Sequence, residues 1–152
     1  MISSILTGAA AGAAGTTALN AATYLDMVGR GRPASSTPEQ VVERLTGAVG
    51  LRVPGDEEHR GARMSGLGAL SGIAVGVGVG AAYGALRAAG WRPSLPVAGA
   101  VLTLGALLGS NGPMTVLGIT DPRTWSRADW LSDLLPHLAY GGVAAATYAA
   151  AG

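Results

Sequence analysis

Three side chains in the C-terminal part of the chain, Asp129, Asp133 and His137, have the residue types and the spacing to handle protons or a metal ion. Successive members are four residues apart, so on a helix all three would lie on one face. Carboxylates beside an imidazole suit a proton relay or a carboxylate–imidazole metal site. Ligands on a single helix are too few to predict a metal centre, and the sequence predicts no cofactor.

Structural interpretations of the same residues stay open. Ser126 and Asp129 have the spacing of a capping box at a helix start. Asp133 would then only orient His137 or lie among lipid headgroups, and Pro136 should kink the helix because it removes one backbone hydrogen bond. We expect no catalytic residues, since neither a Ser-His-Asp group nor a phosphate-binding loop stands nearby.

The composition of the chain favours a membrane over water as its surroundings. Hydrophobic residues make up 49% of the 152 residues and charged residues only 12%, a poor composition for a soluble surface. The lack of cysteine excludes disulfides and thiolate metal sites. A net charge of +1 gives no basic surface for nucleic acid. We therefore expect the lipid bilayer as a partner, and no nucleic acid.

Four stretches without Asp, Glu or Arg are long enough, or nearly so, for helices that cross a hydrocarbon core of roughly 30 Å. They predict an all-α, polytopic membrane protein of a single domain, with four transmembrane helices in a tight Gly/Ala-packed bundle. A buried helical hairpin in a soluble protein is the alternative. The predicted spans are residues 2–28, 60–88, 94–112 and 129–151. Thr37, Pro38 and Gln40 resemble a helix start, which predicts a short interfacial helix at 38–46.

The distribution of arginines predicts the orientation of this bundle. Eight of the ten arginines lie in the first and third predicted loops, whereas only Arg87 and Arg92 lie in the second. The positive-inside rule then places both termini outside, with the inverted arrangement as the alternative. The first span lacks a positively charged start and is longer than the apolar part of a signal peptide, so we expect a retained helix.

The most regular pattern in the chain is a row of glycines through the second predicted span. The five members recur every four residues, which places positions without a side chain along one helix face that another helix can approach closely. Contact inside one bundle and contact between subunits both fit this row, so a homo-oligomer or a larger membrane complex is an expected partner. The row consists of Gly68, Gly72, Gly76, Gly80 and Gly84.

Two more polar features fall inside predicted spans. Asn20 needs a partner on another helix, and we expect it to face Asp133 and His137; an ordinary interhelical hydrogen bond is the alternative. Residues 110–113, Ser-Asn-Gly-Pro, should break the third span. The break would either line a wet cavity or end the span near Gly112.

The run Gly118-Ile119-Thr120-Asp121-Pro122, a following Trp, and the run Ser132-Asp133-Leu134-Leu135-Pro136-His137-Leu138 resemble the C-terminal part of the YagU-like bacterial inner-membrane proteins. The chain departs from that family in having Pro136 where Gly is typical and in lacking its long loops. The N-terminal half is similar to actinobacterial membrane proteins of unassigned function. The resemblance implies a bacterial plasma-membrane protein with a link to acid tolerance, in which Asp133 and His137 carry over.

The functional expectation combines the membrane composition with these scarce polar groups. We expect a small, non-enzymatic integral membrane protein that supports envelope homeostasis or passes a proton or small solute. Its proton or ligand candidates are Asn20, Asp133 and His137. One alternative is a membrane-embedded enzyme that uses Asp129, Asp133 and His137 as a metal or general-base site. Another is a structural accessory subunit of a larger membrane complex.

Overall fold

Glycines and prolines divide the chain into five α-helices in this computed structural model, which describes residues 1–151. Gly31, at the end of α1, has a φ of 63°, a left-handed conformation that glycine adopts without strain. A short 3-10 turn at Pro122–Thr124 precedes the last helix. The helices are α1 (Ile2–Arg30), α2 (Thr37–Ala48), α3 (Glu57–Ala88), α4 (Leu95–Val116) and α5 (Arg127–Ala151).

Three helices within residues 1–151, namely α1, α3 and α4, are long and apolar enough to cross a membrane, and the chain is a membrane protein. The expectation of four transmembrane helices is wrong, because α5 is not among them. Arg127, Asp129 and Asp133 occupy its first two turns. Pro136, His137 and several glycines and tyrosines then dilute its apolar part, which makes transfer into hydrocarbon less favourable.

The four long helices form a closed ring. Helix α1 contacts α3 and α5, and α4 contacts the same two helices from the other side. Helices α1 and α3 run antiparallel, since Gly8 lies against Gly84 near the start of one and the end of the other. Helix α5 is therefore held in place by contacts with both α1 and α4.

Small residues and tyrosines build most of the interior of the ring, and the chain has no phenylalanine. Tyr140 and Leu102 are the largest side chains that are fully buried. The hydroxyl of Tyr140 donates to the carbonyl of Gly76 at 2.6 Å, which satisfies a polar group that would otherwise be costly to bury. The rest of the core consists of Ala11, Tyr83, Ala98, Ala106, Ala144, Ala145 and Tyr148.

The short helix α2 lies where an interfacial helix at 38–46 was expected, but it extends from Thr37 to Ala48. Its N-cap residue is Ser36 rather than Thr37, and Gln40 donates to the Ser36 hydroxyl at 3.2 Å. Polar contacts hold α2 against the first turns of α3. Arg60 pairs with Glu43 at 2.6 Å, and Ser65 donates to Glu39 at 2.7 Å.

The predicted break at residues 110–113 is wrong, because α4 continues through Pro113 to Val116. Proline removes one helical hydrogen bond. Only three residues of α4 follow Pro113, so little of the helix depends on the part after the proline. The carbonyl of Pro113 still accepts a bond from the amide of Leu117 at 2.9 Å. Helix α5 likewise continues through Pro136. The residues between 110 and 113 are therefore helical, and Ser110 and Asn111 have defined directions.

Candidate functional site

The start of α5 is fixed by the capping box that the sequence predicts. The amide of Asp129 donates to the Ser126 hydroxyl at 3.2 Å, and the amide of Ser126 donates to the Asp129 carboxylate at 2.9 Å. The hydrogen bond from the Ser126 side chain lowers the pKa of Asp129 below its usual value. Asp129 therefore caps the helix as a carboxylate and does not bind Asp133 or His137.

Trp125 and Trp130 stabilise the same end of α5. Their rings meet edge to face, with centroids 5.0 Å apart, a favourable geometry for two aromatic rings. The indole of Trp125 donates to the hydroxyl of Thr120 at 2.8 Å. The first contact ties the turn to α5, and the second holds Trp125 against the preceding loop.

His137 and Asp133 form a largely buried pair on α5. Their side chains are 10% and 19% exposed, and Nδ1 of His137 lies 3.6 Å from the nearer Asp133 carboxylate oxygen. Nδ1 is also 2.6 Å from the main-chain carbonyl of Asp133. A carbonyl only accepts, so Nδ1 carries a proton in this arrangement. The second ring nitrogen, Nε2, is therefore the atom left to exchange a proton.

Helix α4 supplies the partners of this pair from two consecutive residues. The Ser110 hydroxyl lies 3.1 Å from His137 Nε2, and Asn111 donates from Nδ2 to the Asp133 carboxylate at 2.8 Å. The sequence marked these two residues only as part of a helix break. The sequence nevertheless contained a usable signal. Two antiparallel helices that follow each other in the chain bring the end of the first beside the start of the second, and both of these segments are polar in α4 and α5. The site is thus built from two residues on each of two helices.

Ser110 can serve both protonation states of the imidazole. Its hydroxyl oxygen lies 2.9 Å from the carbonyl of Ala106 as well as 3.1 Å from Nε2 of His137. When Nε2 is unprotonated, the hydroxyl can donate to it. When Nε2 carries a proton, the hydroxyl can donate to Ala106 and accept from the imidazole. No backbone movement is needed to exchange these two arrangements.

Asn20 was expected to face this pair. It lies half-buried on α1, and within residues 1–151 no hydrogen bond joins its side chain to Asp133 or His137. Helix α1 instead meets the start of α5 through charged residues. Asp26 pairs with Arg30 at 2.8 Å and with Arg32 at 2.5 Å, and Arg30 also donates to Ser132. This network holds the residue that immediately precedes Asp133.

Further buried hydroxyl groups occur on α4 and α5 beyond the site, and on α3. Tyr140 lies one helical turn beyond His137, and Thr103 lies two turns from Ser110 on α4; both are buried. At the opposite end of the ring, Tyr83 and Tyr148 are buried edge to face, 5.1 Å apart. Arg87 lies over the Tyr148 ring at 5.1 Å and donates to the Tyr83 hydroxyl at 3.2 Å. The sequence did not single out these tyrosines, since tyrosine also anchors at membrane surfaces.

Three members of the glycine row lie against α1. A Cβ atom at Gly80 would meet the Gly8 carbonyl and the Gly12 backbone, one at Gly84 would meet Ser4, and one at Gly76 would meet Thr16. Backbone therefore touches backbone where the helices cross.

The other two members do not contact α1. Gly68 lies against Pro38 at the start of α2. Gly72 is exposed and has open space around it. The row thus serves two different helix contacts inside the chain, and Gly72 serves neither.

The arrangement at α4 and α5 can exchange a proton at one imidazole nitrogen. Among residues 1–151, no group of three or more His, Asp or Glu side chains is placed to hold a metal ion. Asp129, Asp133 and His137 are thus divided between a helix cap and a buried pair. No protein-family model, curated protein or solved structure matches this chain.

Proposed function

We propose that this protein passes protons across the bacterial plasma membrane, with His137 and Asp133 as the proton-binding pair. The observation that carries the proposal is the contact of His137 Nε2 with Ser110, whose hydroxyl has a second acceptor at Ala106. A buried imidazole that keeps a partner in both protonation states can gain and lose a proton without unfolding the helix pair. Ionisable groups buried among membrane helices are functional sites by default.

Each member of the site has a distinct role in this proposal. His137 takes up the proton at Nε2, and the carboxylate of Asp133 balances the charge of the resulting imidazolium. Asn111 orients that carboxylate through its 2.8 Å hydrogen bond. Ser110 changes between donating to Nε2 and accepting from it. Release reverses these steps, so the site returns to its starting state.

Passage through the ring would use the buried hydroxyls of Tyr140, Thr103, Tyr148 and Tyr83. A hydroxyl both donates and accepts, so a series of them can relay a proton where bulk water is excluded. The side chains of Tyr140 and Leu102 fill the middle of the ring. This filling favours transfer between hydroxyls over an open pore, and it would exclude larger ions.

The distribution of arginines supports an orientation for this passage. The proton-binding pair lies at the end of the ring where eight of the ten arginines lie, in the connecting segments and the adjoining helix ends. The positive-inside rule places that end in the cytoplasm. The resemblance of residues 118–138 to YagU-like proteins, which are linked to acid tolerance, is consistent with control of proton movement at the cytoplasmic side.

Proton flux in proteoliposomes tests the proposal. A pH gradient is imposed across vesicles that contain a pH-sensitive dye, and its decay is compared with that in protein-free vesicles. We expect His137→Gln and Asp133→Asn to lower the flux about a hundredfold, the lower end of an acid–base group's usual contribution. The control is His59→Gln, because His59 is exposed and, among residues 1–151, its side chain bonds with Asp56 alone. Equal flux in wild type and both site variants, or in protein-containing and empty vesicles, would contradict the proposal.

A further inference from the structure

A second feature of the cytoplasmic end is an apolar groove between the α2–α3 loop and the first turns of α3. It has a volume of about 510 Å³. Its walls include Leu51 and Val53 from the loop and Leu67 and Leu70 from α3, while Arg52 and Arg63 lie along it. Leu51 and Leu70 are 63% and 62% exposed, so this groove leaves apolar surface uncovered.

The groove begins at the level expected for lipid headgroups. Arg63 is the last charged residue before the uncharged run at 64–86, so it marks the boundary between the lipid headgroups and the hydrocarbon along α3. Leu67 and Leu70 follow one and two turns deeper on the same face of the helix. The apolar wall is therefore continuous with the hydrocarbon-facing surface of α3, while the arginines remain at its polar edge.

The charge along the groove is positive and unbalanced. Within the described residues 1–151, neither Arg52 nor Arg63 forms an ion pair with a carboxylate. Arg63 donates to the carbonyl of Pro54, which holds the loop against the helix. At 100° per residue, Glu57 and Glu58 lie on other faces of α3 than Arg63. An acidic group at this edge would meet two cations and little opposing charge.

We propose that this groove binds one anionic phospholipid of the cytoplasmic leaflet. Its phosphate lies between Arg52 and Arg63, and the start of one acyl chain lies along Leu67 and Leu70. Arginine pairs well with phosphate oxygens, and anionic lipids are attracted to basic residues beside a membrane helix. The site is independent of the proton-binding pair, which lies between α4 and α5.

Native mass spectrometry of the detergent-purified protein with added phosphatidylglycerol or phosphatidylcholine tests this site. We expect phosphatidylglycerol to bind in preference, and the Arg52→Gln/Arg63→Gln double variant to bind it at least about tenfold more weakly. Arg44→Gln is the charge control, because Arg44 is exposed on α2 and does not line the groove.

A second pair of variants tests the groove without changing charge. Gly66 lines the groove and has open space where a side chain would begin, so Gly66→Leu fills the groove without disturbing a helix contact. Gly72→Leu is the matched control, since Gly72 is also open but lies outside the groove. Loss of phosphatidylglycerol binding in Gly66→Leu alone would support the site. Equal phosphatidylglycerol binding by both variants, or phosphatidylcholine binding as strong as that of phosphatidylglycerol, would overturn it. So would a dimer of the wild-type protein that Gly66→Leu dissociates, because the groove would then bind a second copy of the chain.

Discussion

Tyr140 and Gly76, 64 residues apart in the chain, are joined by a hydrogen bond of 2.6 Å from the tyrosine hydroxyl to the glycine carbonyl. The Tyr140 ring also lies against Gly15 of α1. One side chain of α5 thus contacts both α1 and α3 in the interior of the ring. Glycine at both positions leaves the room that the ring and its hydroxyl occupy.

Tyr140→Phe should lower the free energy of unfolding by about 1 kcal/mol, because it removes one interhelical hydrogen bond while keeping the ring in place. Unfolding of the detergent-solubilised protein by a denaturing detergent, followed by circular dichroism, measures the change. Tyr24→Phe is the control, since Tyr24 is 61% exposed and should leave stability unchanged. Equal stabilities of wild type and Tyr140→Phe would show that the hydrogen bond contributes nothing net.

Gly80→Ala should destabilise the protein by about 1–3 kcal/mol, because its methyl group would meet the backbone of Gly8 and Gly12 and force α1 away from α3. Gly78→Ala is the matched control on the same helix. Gly78 is exposed with open space around it, so alanine there should stabilise by about 0.5–1 kcal/mol through helix propensity. The same unfolding measurement compares the two, and a change of equal sign in both would refute the contact.

Ser110→Ala should reduce proton flux by about tenfold or more, because Nε2 of His137 loses the group that partners it in both protonation states. Ser110→Thr keeps a hydroxyl and should retain most of the flux. Thr115→Ala is a control on the same helix, since Thr115 is exposed and its hydroxyl donates to a main-chain carbonyl, that of Asn111. Unchanged proton flux in Ser110→Ala would show that the Ser110 hydroxyl takes no part in proton transfer.

Acid should destabilise the turns that precede α3 and α5. Hydrogen bonds from His59, Arg123 and Ser126 lower the pKa values of Asp56, Asp121 and Asp129 respectively.

A carboxyl whose pKa is lower in the folded state adds stability above its unfolded pKa of about 3.9, and this stability is lost as the pH falls through the folded value. Unfolding measured from pH 5 to pH 2 should therefore show a steeper loss in wild type than in a variant with all three residues changed to asparagine. Parallel curves would show that these caps do not contribute.

A local signal in the sequence predicted the start of α5, and the start of α3 is set by a contact of the same kind. The capping box at Ser126 and Asp129 forms as expected, and Asp56 caps α3 by accepting from the amide of His59 at 2.9 Å. Such contacts join residues three apart, so the chain order contains all the information they need. The predicted break at residues 110–113 failed because one missing hydrogen bond near a helix end is too weak to stop α4.

Contacts between helices were harder to predict than helix ends. Asp133 and His137 were chosen correctly as neighbours on one helix face, but Asn20 was assigned to them in place of Ser110 and Asn111. Which helix faces them depends on the order of helices around the ring, and that order depends on close approaches such as Gly8 against Gly80. Spacing along one helix does not state which other helix comes close.

The count of spans failed for a reason of the same kind. A stretch without charges was taken as sufficient for crossing a membrane, although α5 begins with charged residues and is diluted by Pro136 and His137. Length alone therefore overestimated its preference for hydrocarbon. The helix forms as expected, but its packing partners rather than its own composition account for its position.

The weak apolar character of α5 has a consequence for how the protein assembles. Helices α1, α3 and α4 are each long and apolar enough to cross a membrane, and α5 follows them in the chain. Its docking against α1 and α4 closes the ring and brings His137 to Ser110. We therefore expect α1, α3 and α4 to insert before α5 docks, so that the proposed proton-binding pair forms only once the ring is complete.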